Sequence, residues 1–518
     1  MEVYSILLLS CLIAVCLAFF LPSRWKKSKL PPGPAALPII GNLHWLTRSI
    51  NDLEAILREL FSHYGPIITL RIGSSAAVFI SDHALAHEAL ISKGAIFADR
   101  PPATQTGRVI SANQHNINSA CYGPLWRLLR RNLTSEILHP LRIKSYGQAR
   151  VWVLELLLRS LKSESQTAGS LHVVKSFQFA MFCLLVFMCF GQKLDEEVVK
   201  EIEKAQRDLI LNIRRFNVFA FFPRVGRWVF RKRWNDLLEL QNRLAEVLLP
   251  LIRSRKETQM KGRQEQDGKN NFTFSYVDSL LSLELPDDGG RRLTEEEIIS
   301  LCSEFLTAGT DTTSTALEWI MANLVKYPRI QENLVEEIER VVKERRSQGG
   351  EESYTDFIKE EELQKMKYLK AVVMEALRRH PPGHFVLPHA VMEEVEINGY
   401  IIPKETLVNF PVAEMAMDEK VWKDPTEFKP ERFLENEIDI TGTREIKMMP
   451  FGAGRRICPG LGLAMLHLEF FVVNLVKEFE WKAKDGKEVD LSEKPEFTTV
   501  MKNPLDVELH QRKSTQSY

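Results

Sequence analysis

The spacing of apolar and polar residues predicts a mainly helical chain. Apolar residues recur at helical intervals through Glu136 to Leu161 and through Trp234 to Arg253, and Leu293 to Lys326 is predicted to be one long helix. Short strands are predicted at Ile67 to Ile72 and Ala77 to Ile80, on either side of a glycine–serine turn. The expected fold class is therefore mainly α with a small β portion.

Three polar segments are predicted to lie on the surface without regular structure. They are Ser254 to Asn271, Arg345 to Glu352 and the chain after His510. The sequence shows no internal repeat and no Pro-, Gly- or Ser-rich linker in its middle. We therefore expect one large domain over residues 35–510, followed by a polar tail at 511–518.

The N-terminus is predicted to be a membrane anchor. Val3 to Leu21 contains no charged residue, and at ~1.5 Å per residue a helix of this length comes close to the ~30 Å hydrocarbon core. The alternative is a cleavable signal peptide, which the acidic Glu2 and the lack of a small-residue cleavage site disfavour. We expect an anchor over residues 1–22 and a basic, proline-rich hinge over residues 23–34, whose positive charges hold the rest of the chain in the cytosol.

The charge balance and the cysteine content bear on the class of partner and on the cellular compartment. Lys and Arg together number 68, as do Asp and Glu, so the charge balance gives no sign of nucleic-acid binding. The seven cysteines include no Cys-x-x-Cys pair, and an odd number is not a disulfide framework. We therefore expect a reducing compartment, in which most cysteines are packing residues.

Cys458 differs from the other cysteines in its surroundings. It follows a loop with two glycines and two arginines, and it precedes an apolar helix predicted at Leu461 to Val476, with Pro459 expected in the first turn. Glycines let a loop turn tightly against a flat ligand, and a helix N-terminus favours a thiolate. The alternative is a buried cysteine in a glycine turn.

The loop around Cys458 resembles the signature of the cytochrome P-450 family, Phe-x-x-Gly-x-Arg-x-Cys-x-Gly. Its fixed positions are matched by Phe451, Gly454, Arg456, Cys458 and Gly460. The resemblance implies haem b with Cys458 as the axial thiolate ligand of the iron, Arg456 at a haem propionate and Phe451 beside the sulfur. A thiolate ligand donates electron density to haem iron and favours O–O cleavage.

The middle of the long predicted helix is unusual. Gly309 to Thr315 is rich in residues that are individually unfavourable inside a helix. Its first part resembles the family's Ala/Gly-Gly-x-Asp/Glu-Thr motif, which implies that Gly309 leaves room for dioxygen and that Thr312 and Asp311 relay protons. The alternative is a Ser/Thr-rich packing face whose hydroxyls bond back to helix carbonyls.

Further motifs concern the scaffold around the haem. Glu375 and Arg378, with the segment Pro430 to Phe433, resemble the family's buried network of a glutamate and two arginines. Trp126 and Arg130 resemble the Trp-x-x-x-Arg pair that binds a propionate. His389 stands where relatives often carry arginine, and its role stays open.

Electrons are expected to come from another protein, because no dinucleotide or flavin fingerprint is visible. The resemblance is strongest to plant microsomal members, which implies an NADPH-dependent flavoprotein reductase on the endoplasmic reticulum membrane and a catalytic domain in the cytosol. Candidate docking residues are Arg127, Arg130, Arg131, Lys447 and Arg455, with ordinary solvated charge as the alternative.

A second membrane contact is predicted where aromatic residues alternate with arginines. The aromatic residues are Phe216, Phe219, Phe221, Phe222, Trp228 and Phe230, and the arginines are Arg214, Arg215, Arg224, Arg227 and Arg231. The alternative is a helix end that packs into the core and leaves a solvated basic side.

The substrate is expected to be a lipophilic small molecule, because the residues assigned to its site by resemblance are mainly apolar or small. These are the loop from Phe97 to Ser119, Phe305, Thr307, Ala308, Phe385, Val386 and Thr499. The expected activity is insertion of one atom of dioxygen into a plant metabolite. Two alternatives are a haem-thiolate isomerase or dehydratase and a non-enzymatic haem-binding membrane protein.

Overall fold

The computed structural model describes residues 29–37, 41–42, 45, 50–73, 75–168, 171–221, 226–262, 273–347, 357–435 and 437–512. The expected anchor at residues 1–22 lies outside these residues, as does most of the expected hinge, so both stay predictions. Within the described residues, no helix has the length and apolar composition needed to cross a membrane.

Helices make up most of the described chain. In chain order they are α1 (Ile50–Tyr64), α2 (His83–His87), α3 (Gln105–Ile110), α4 (Pro124–Asn132), α5 (Pro140–Ser145), α6 (Gly147–Ala168), α7 (Val174–Phe190), α8 (Glu196–Asn212), α9 (Val218–Phe221), α10 (Gly226–Val229), α11 (Arg231–Gly262), α12 (Tyr276–Leu281), α13 (Glu295–Lys326), α14 (Pro328–Ser347), α15 (Lys367–Arg379), α16 (Val412–Met415), α17 (Arg432–Glu435) and α18 (Leu461–Glu478).

The strands are short and belong to several small sheets. They are β1 (Ile67–Ile72), β2 (Ser75–Ile80), β3 (Leu171–His172), β4 (Glu284–Leu285), β5 (Arg291–Arg292), β6 (His389–Ala390), β7 (Val395–Ile397), β8 (Tyr400–Ile402), β9 (Leu407–Asn409), β10 (Phe479–Ala483), β11 (Glu493–Pro495), β12 (Thr499–Met501) and β13 (Asp506–Gln511). The predicted fold class, mainly α with a small β portion, is confirmed.

The first compact unit contains the chain up to Asp99 together with Pro388–Pro411. Its sheet has the order β1-β2-β9-β6, in which β2 and β9 are parallel and the other neighbours are antiparallel. The proline-rich segment packs on β1, because Thr69 donates its N–H to the carbonyl of Pro32 over 2.8 Å. A Cβ at Gly33 would overlap the carbonyl oxygen of Thr69, which explains the glycine.

The second compact unit contains Arg100–Leu387 and the chain from Val412 onwards. Helix α13 is at its centre and packs against α7, α15 and α18. Its residues from Thr313 to Val325 are buried on every face, as expected of a helix inside a core. The unit also contains the sheet β10-β13-β3 and the hairpins β4–β5 and β11–β12.

The long helix predicted at Leu293 to Lys326 is confirmed as α13. The Thr294 hydroxyl accepts the N–H of Glu297 over 3.2 Å, and the Glu297 carboxylate accepts the N–H of Thr294 over 2.7 Å. These reciprocal bonds satisfy two N–H groups that have no partner within the helix. They therefore fix where α13 begins.

Most of Glu136 to Leu161 is helical, as its apolar spacing predicted, but the helical stretch is divided. The structure contains a π-helical turn at Leu133–Ile137, then α5 and then α6. Pro140 occupies the first turn of α5, and because proline has no N–H it cannot continue a helix from the preceding residues.

The loop predicted from Ser254 to Asn271 was wrong in its first part, because α11 continues to Gly262. Arg255 is buried and its guanidinium pairs with the fully buried Asp278 over 2.7 Å. This pair attaches the end of α11 to α12. The other predicted irregular segments also begin late, since α14 reaches Ser347 and β13 reaches Gln511. Residues 348–352 and 513–518 lie outside the described chain.

The predicted row of aromatic residues for membrane contact is only partly exposed. Phe216 and Phe219 are fully buried, which contradicts their assignment to a membrane surface. In contrast, 84% of Trp228 and 57% of Val229 is exposed on α10. The Phe221 side chain and all of Phe222 and Arg224 lie outside the described part of the chain.

Candidate active site

The loop before Cys458 is held in a tight turn by its glycines. Gly452 and Gly454 both have φ values of 68°, a left-handed conformation that is costly for residues with a Cβ. The loop closes on itself because the Cys458 N–H donates to the Phe451 carbonyl over 2.8 Å. The cysteine is therefore fixed by backbone geometry.

Cys458 lies further from its helix than the sequence indicated. Helix α18 begins at Leu461 with Gly460 as its N-cap, so Pro459 precedes the first turn instead of occupying it. Burial raises the pKa of the thiol, while the N–H of Gly460 and the charge of Arg130 oppose that rise. The Gly460 N–H at the start of α18 favours the thiolate but does not outweigh burial, whereas a thiol that coordinates a metal cation is deprotonated outright.

Two arginines surround the cysteine loop. Arg456 donates to the carbonyls of Ile117 and Ala120 over 3.2 and 2.6 Å. Its guanidinium also lies 4.4 Å from the centre of the Trp126 ring. Arg130 donates to the Ile457 carbonyl over 2.5 Å, and burial lowers its pKa. Both guanidinium groups are therefore held close to Cys458 by backbone carbonyls.

Trp126 provides the test of whether these residues fit a haem. Its indole N–H is buried and has no hydrogen-bond partner among the described residues. A buried donor normally has a partner, so the indole is suited to an acceptor group that is not part of the chain. An unpartnered indole N–H, two guanidinium groups and a thiol match the two carboxylates and the iron of haem b.

Helix α13 presents an open face near its middle. Ala308 is exposed although Leu306 and Thr310 on either side are buried. Thr312 lies one turn further on, on the same face, and its hydroxyl donates to the Ala308 carbonyl over 2.6 Å. The back-bonding considered as an alternative is therefore present, but the hydroxyl oxygen keeps its lone pairs for a further donor.

Gly309 has a packing role that the sequence did not indicate. A Cβ at this position would overlap the side chain of Leu185 on α7. The glycine therefore permits close contact between α13 and α7.

Asp311 faces α8, where its carboxylate lies 3.4 Å from the Arg207 guanidinium. Burial raises the pKa of Asp311, Arg207 opposes that rise and Glu496 adds to it. Beside the pair lies a small cavity of about 10 Å³, lined by residues of α7, α8 and α13. Gln206 Oε1 and Thr310 Oγ1 are buried there without a partner among the described residues, so the cavity has polar atoms suited to ordered water.

Glu304 is a residue of this site that sequence reasoning missed. Its carboxylate accepts the N–H groups of Ile117 and Asn118 over 2.9 and 2.6 Å. Burial raises its pKa to about 7, although these N–H groups, Arg100 and Arg456 oppose the rise. The same loop supplies the carbonyls that bind Arg456. The signal in the sequence was a carboxylate within an apolar stretch of helix.

The glutamate and two arginines of the expected scaffold network come together. Arg378 binds Glu375 through two bonds of 2.7 and 2.9 Å, and Arg432 lies 3.3 Å from the same carboxylate. Arg378 also donates to the carbonyls of Ala416 and Pro425. The network is buried and attaches α15 to the segment that precedes the cysteine loop.

A family comparison agrees with this geometry. The model of the cytochrome P-450 family matches residues 31–509. The chain belongs to the cytochrome P-450 family. It is therefore a haem-thiolate monooxygenase whose cofactor is haem b bound by a cysteine thiolate, and the predicted family, activity and cofactor are confirmed.

Several relatives are plant proteins. The chain is 48% identical over 498 residues to cytochrome P-450 89A9 of Arabidopsis thaliana, covering 94% of each. It is 32% identical over 515 residues to cytochrome P-450 98A1 of Sorghum bicolor, covering 96% of this chain and 95% of the relative. It is 30% identical over 518 residues to costunolide synthase of Tanacetum parthenium, covering 98% of this chain and 97% of the relative.

The residues expected to face the substrate of this P-450 differ in their surroundings. The Cβ position of Gly452 lies 4.0 Å from Val386 Cγ1, so Val386 borders the cysteine loop. Phe305 is buried and packs 5.1 Å from the ring of Tyr276. In the first unit, His389 Nδ1 lies 2.7 Å from the Phe97 carbonyl. The role of His389 in propionate binding stays open.

The expected basic docking residues of this P-450 divide into two groups. Arg127 and Arg455 are exposed and flank Tyr122, with Arg127 4.9 Å from its ring centre and Arg455 2.8 Å from its hydroxyl. Arg130 instead points inward to the Ile457 carbonyl, so its assignment to a docking surface was wrong. Lys447 pairs with Glu445 over 2.9 Å.

Proposed function

We propose that the chain is a membrane-bound monooxygenase that inserts one atom of dioxygen into a lipophilic plant metabolite, with electrons from NADPH through a separate flavoprotein reductase. The observation that carries this proposal is the arrangement of Cys458, the unpartnered Trp126 indole and two arginines around one glycine-rich loop. Two relatives are named for the plant metabolites that they make, costunolide synthase and salviol synthase.

The cofactor contacts are assigned to residues of this loop and of α4. Cys458 would supply the thiolate ligand of the iron, and Trp126, Arg130 and Arg456 would bind the propionates. When bound, the haem supplies the iron at which dioxygen is activated. Phe451, Gly454 and Gly460 set the shape of the cysteine loop. They close the loop and leave room beside the sulfur.

Protons are supplied through α13. Thr312 lies on the exposed face with Ala308, and Asp311 lies next to it on the side of α8. The Arg207 side chain is 32% exposed. Arg207 and the polar cavity therefore connect Asp311 to solvent. Asp311 takes a proton from solvent and Thr312 holds the donor that delivers it, which are general acid–base roles.

The reductase is proposed to dock on the exposed basic residues near the cysteine loop. Arg127 and Arg455 are held apart by Tyr122, and Arg131 is exposed on the same helix as Arg127. Positive charge on this surface steers an acidic partner. The expected effect of neutralising Arg127 and Arg455 is a salt-dependent loss of reduction rate.

Membrane association is proposed to involve two regions. The apolar segment at residues 1–22 is the anchor, with the catalytic domain in the cytosol at the endoplasmic reticulum membrane. Trp228 and Val229 on α10 form a second contact, because large exposed apolar side chains beside Arg227 and Arg231 suit a bilayer interface.

One experiment tests the proposed function. A reduced, carbon monoxide difference spectrum of the purified protein is followed by turnover of a plant metabolite library with NADPH and reductase, with and without oxygen. Product that needs both oxygen and reductant supports the monooxygenase. Turnover without reductant would instead support an isomerase, and a thiolate-type spectrum with no turnover of any compound would leave a haem-binding protein.

A further inference from the structure

Two segments of the second unit are bonded to each other, and one of them also contacts α13. The first runs from Pro382 to Leu387 after the end of α15, and the second is the turn between β11 and β12. They are joined by one backbone bond, in which the Thr499 N–H donates to the Pro382 carbonyl over 2.9 Å. Phe385 and Val386 belong to the first segment, and Thr499 to the second.

Helix α13 attaches to the hairpin turn through two side chains. Trp319 donates its indole N–H to the Thr499 carbonyl over 2.9 Å. The hydroxyls of Thr315 and Thr498 lie 2.8 Å apart and are both buried. These contacts attach the turn to α13. They do not attach it to the segment that follows Pro382.

Glu493, the first residue of β11, makes the remaining connection. Its carboxylate oxygens lie 3.1 Å from His380 Nδ1 and 3.5 Å from His384 Nε2. The two imidazoles flank the start of the first segment, and their side chains are 1% and 3% exposed. Glu493 therefore joins the hairpin to both ends of the Pro381–Gly383 stretch.

The charges of this cluster favour the observed contacts. Burial lowers the pKa of His380 to about 4, so the ring is neutral near pH 7 and donates one N–H to Glu493. Burial opposes ionisation of Glu493, but His380, His384 and Arg379 outweigh it and lower the pKa of this carboxyl. His380 is further fixed by stacking on Trp319 at 4.0 Å.

Arg214 is a weaker alternative anchor for the same turn. It donates to the carbonyls of Pro495 and Glu496 over 3.2 Å. Because Arg214 is exposed, water competes for these bonds. The Glu493 carboxylate is only 23% exposed and contacts two buried imidazoles, so it is the stronger constraint on the turn.

We propose that Glu493 is a specificity-determining positioning residue, which sets the separation between Phe385–Val386 and Thr498–Thr499 and so the shape of the substrate site above α13. The inference rests on the proposed function, because it takes these residues to face the substrate. Glu493 itself does not touch the substrate in this proposal. It acts through His380 and His384.

The test uses the full-length haem-loaded protein with Glu493→Ala, Glu493→Gln and the control Glu508→Gln. Glu508 also pairs with a histidine, His510, but that pair is exposed on β13. Dissociation constants are measured by difference spectroscopy for imidazole, as the small reference ligand, and for the larger 4-phenylimidazole. Glu493→Gln keeps one acceptor oxygen. It keeps the test informative if the Ala variant misfolds.

We expect Glu493→Ala to raise the dissociation constant of 4-phenylimidazole by roughly 5-fold or more, the effect of about one lost positioning hydrogen bond. Imidazole binding and the carbon monoxide spectrum stay unchanged. Glu493→Gln lies between Ala and wild type, and Glu508→Gln matches wild type. An equal loss for both ligands, or no loss for either, overturns the assignment.

Hydrogen exchange provides a readout that does not depend on the haem. In Glu493→Ala the Thr499 amide exchanges faster, while the Cys458 amide bonded to Phe451 exchanges as in wild type. Unchanged exchange at Thr499 overturns the connection itself. If the wild-type protein has no thiolate-type spectrum, the proposed function fails, while the exchange result still decides the connection.

Discussion

Cys458 is the residue on which the chemistry of the site depends. Burial raises the pKa of its thiol, the Gly460 N–H and the Arg130 cation favour the thiolate, and coordination of a metal cation deprotonates a thiol outright. Sequence alone indicated the ligand but not this electrostatic balance. That balance depends on Arg130, which is distant along the chain.

The first prediction concerns this ligand. Cys458→His should lose the thiolate-type carbon monoxide band and all monooxygenase activity, because imidazole donates less electron density to iron than a thiolate does. Haem content, measured by the pyridine haemochrome, checks that the variant is loaded. The exposed cysteine variant Cys121→Ser is the control and should keep both the band and the activity. An unchanged band in Cys458→His would remove the ligand assignment.

The second prediction concerns Thr312. Thr312→Ala should retain haem but form product about 10²–10⁴-fold more slowly, the usual loss when a proton-transfer group is removed. NADPH should still be oxidised, with hydrogen peroxide released. The measurement is the ratio of product to NADPH oxidised.

Thr313→Ala is the matched control for that ratio, because Thr313 is the adjacent threonine and is buried at 5% exposure. It should behave as wild type. Equal ratios in Thr312→Ala and wild type would contradict the relay, and the double variant shows whether Thr313 substitutes for Thr312.

The third prediction concerns Arg207 and pH. The Arg207 cation favours the ionised form of Asp311, so Arg207→Gln should raise the pKa of Asp311 beyond its already raised value. Asp311 must be ionised to accept a proton from solvent. The acid limb of the product ratio should therefore move to higher pH, with a several-fold loss at acidic pH and little change in alkali. A pH profile identical to wild type would separate Arg207 from the relay.

Among the secondary-structure elements, the sequence predicted those boundaries that depend on residues close together in the chain. The start of α13 was predictable because Thr294 and Glu297 carry the capping signal themselves. The end of α11 was not, because its last turns depend on the pair between Arg255 and Asp278. Hydrophobic spacing alone also cannot distinguish a core phenylalanine from one that faces a membrane, which is why Phe216 was misassigned.

The fourth prediction concerns α10 as a membrane contact. A protein without residues 1–30 should bind liposomes of anionic phospholipid, and Trp228→Ser with Val229→Ser should weaken binding several-fold, because both side chains are exposed. Co-flotation at low and at physiological salt measures the binding. Leu141→Ser is the control, since Leu141 on α5 is 75% exposed but lies elsewhere in the chain. Equal effects of the two changes would show nonspecific adsorption.

At the scale of the whole molecule, the candidate site joins parts of the chain that sequence motifs could identify but not arrange. The Cys458 loop, α4 and α13 were each recognised separately. Their connections are backbone contacts across long separations, such as Arg456 to the Ile117 and Ala120 carbonyls. Carbonyl acceptors have no signature in a sequence, since every residue has one. The motif residues were therefore predictable, whereas the role of Glu304 was not.

Membrane topology is a property of the whole molecule that glycosylation reports. If the basic hinge keeps the body in the cytosol, neither sequon, at Asn132 and at Asn271, should carry glycan. Asn132 alone is a weak reporter, because its amide donates to Ser279 Oγ over 2.9 Å and is partly buried. An exposed reporter is therefore needed.

The fifth prediction uses two reporters of opposite expected outcome. Asp485→Asn with Lys487→Thr creates a sequon in the exposed turn after β10, where neither side chain is buried. A separate variant carries an added Asn-Gly-Thr tag before Met1. The tag should gain a glycan in microsomes and the turn should not, because the positive hinge holds the chain that follows it in the cytosol while the N-terminus enters the lumen. Glycosidase treatment followed by mass measurement reads both variants. A glycan on the turn would show that the catalytic domain faces the lumen, contrary to the prediction. Loss of the tag from the mature protein would show that residues 1–22 are a cleaved signal peptide.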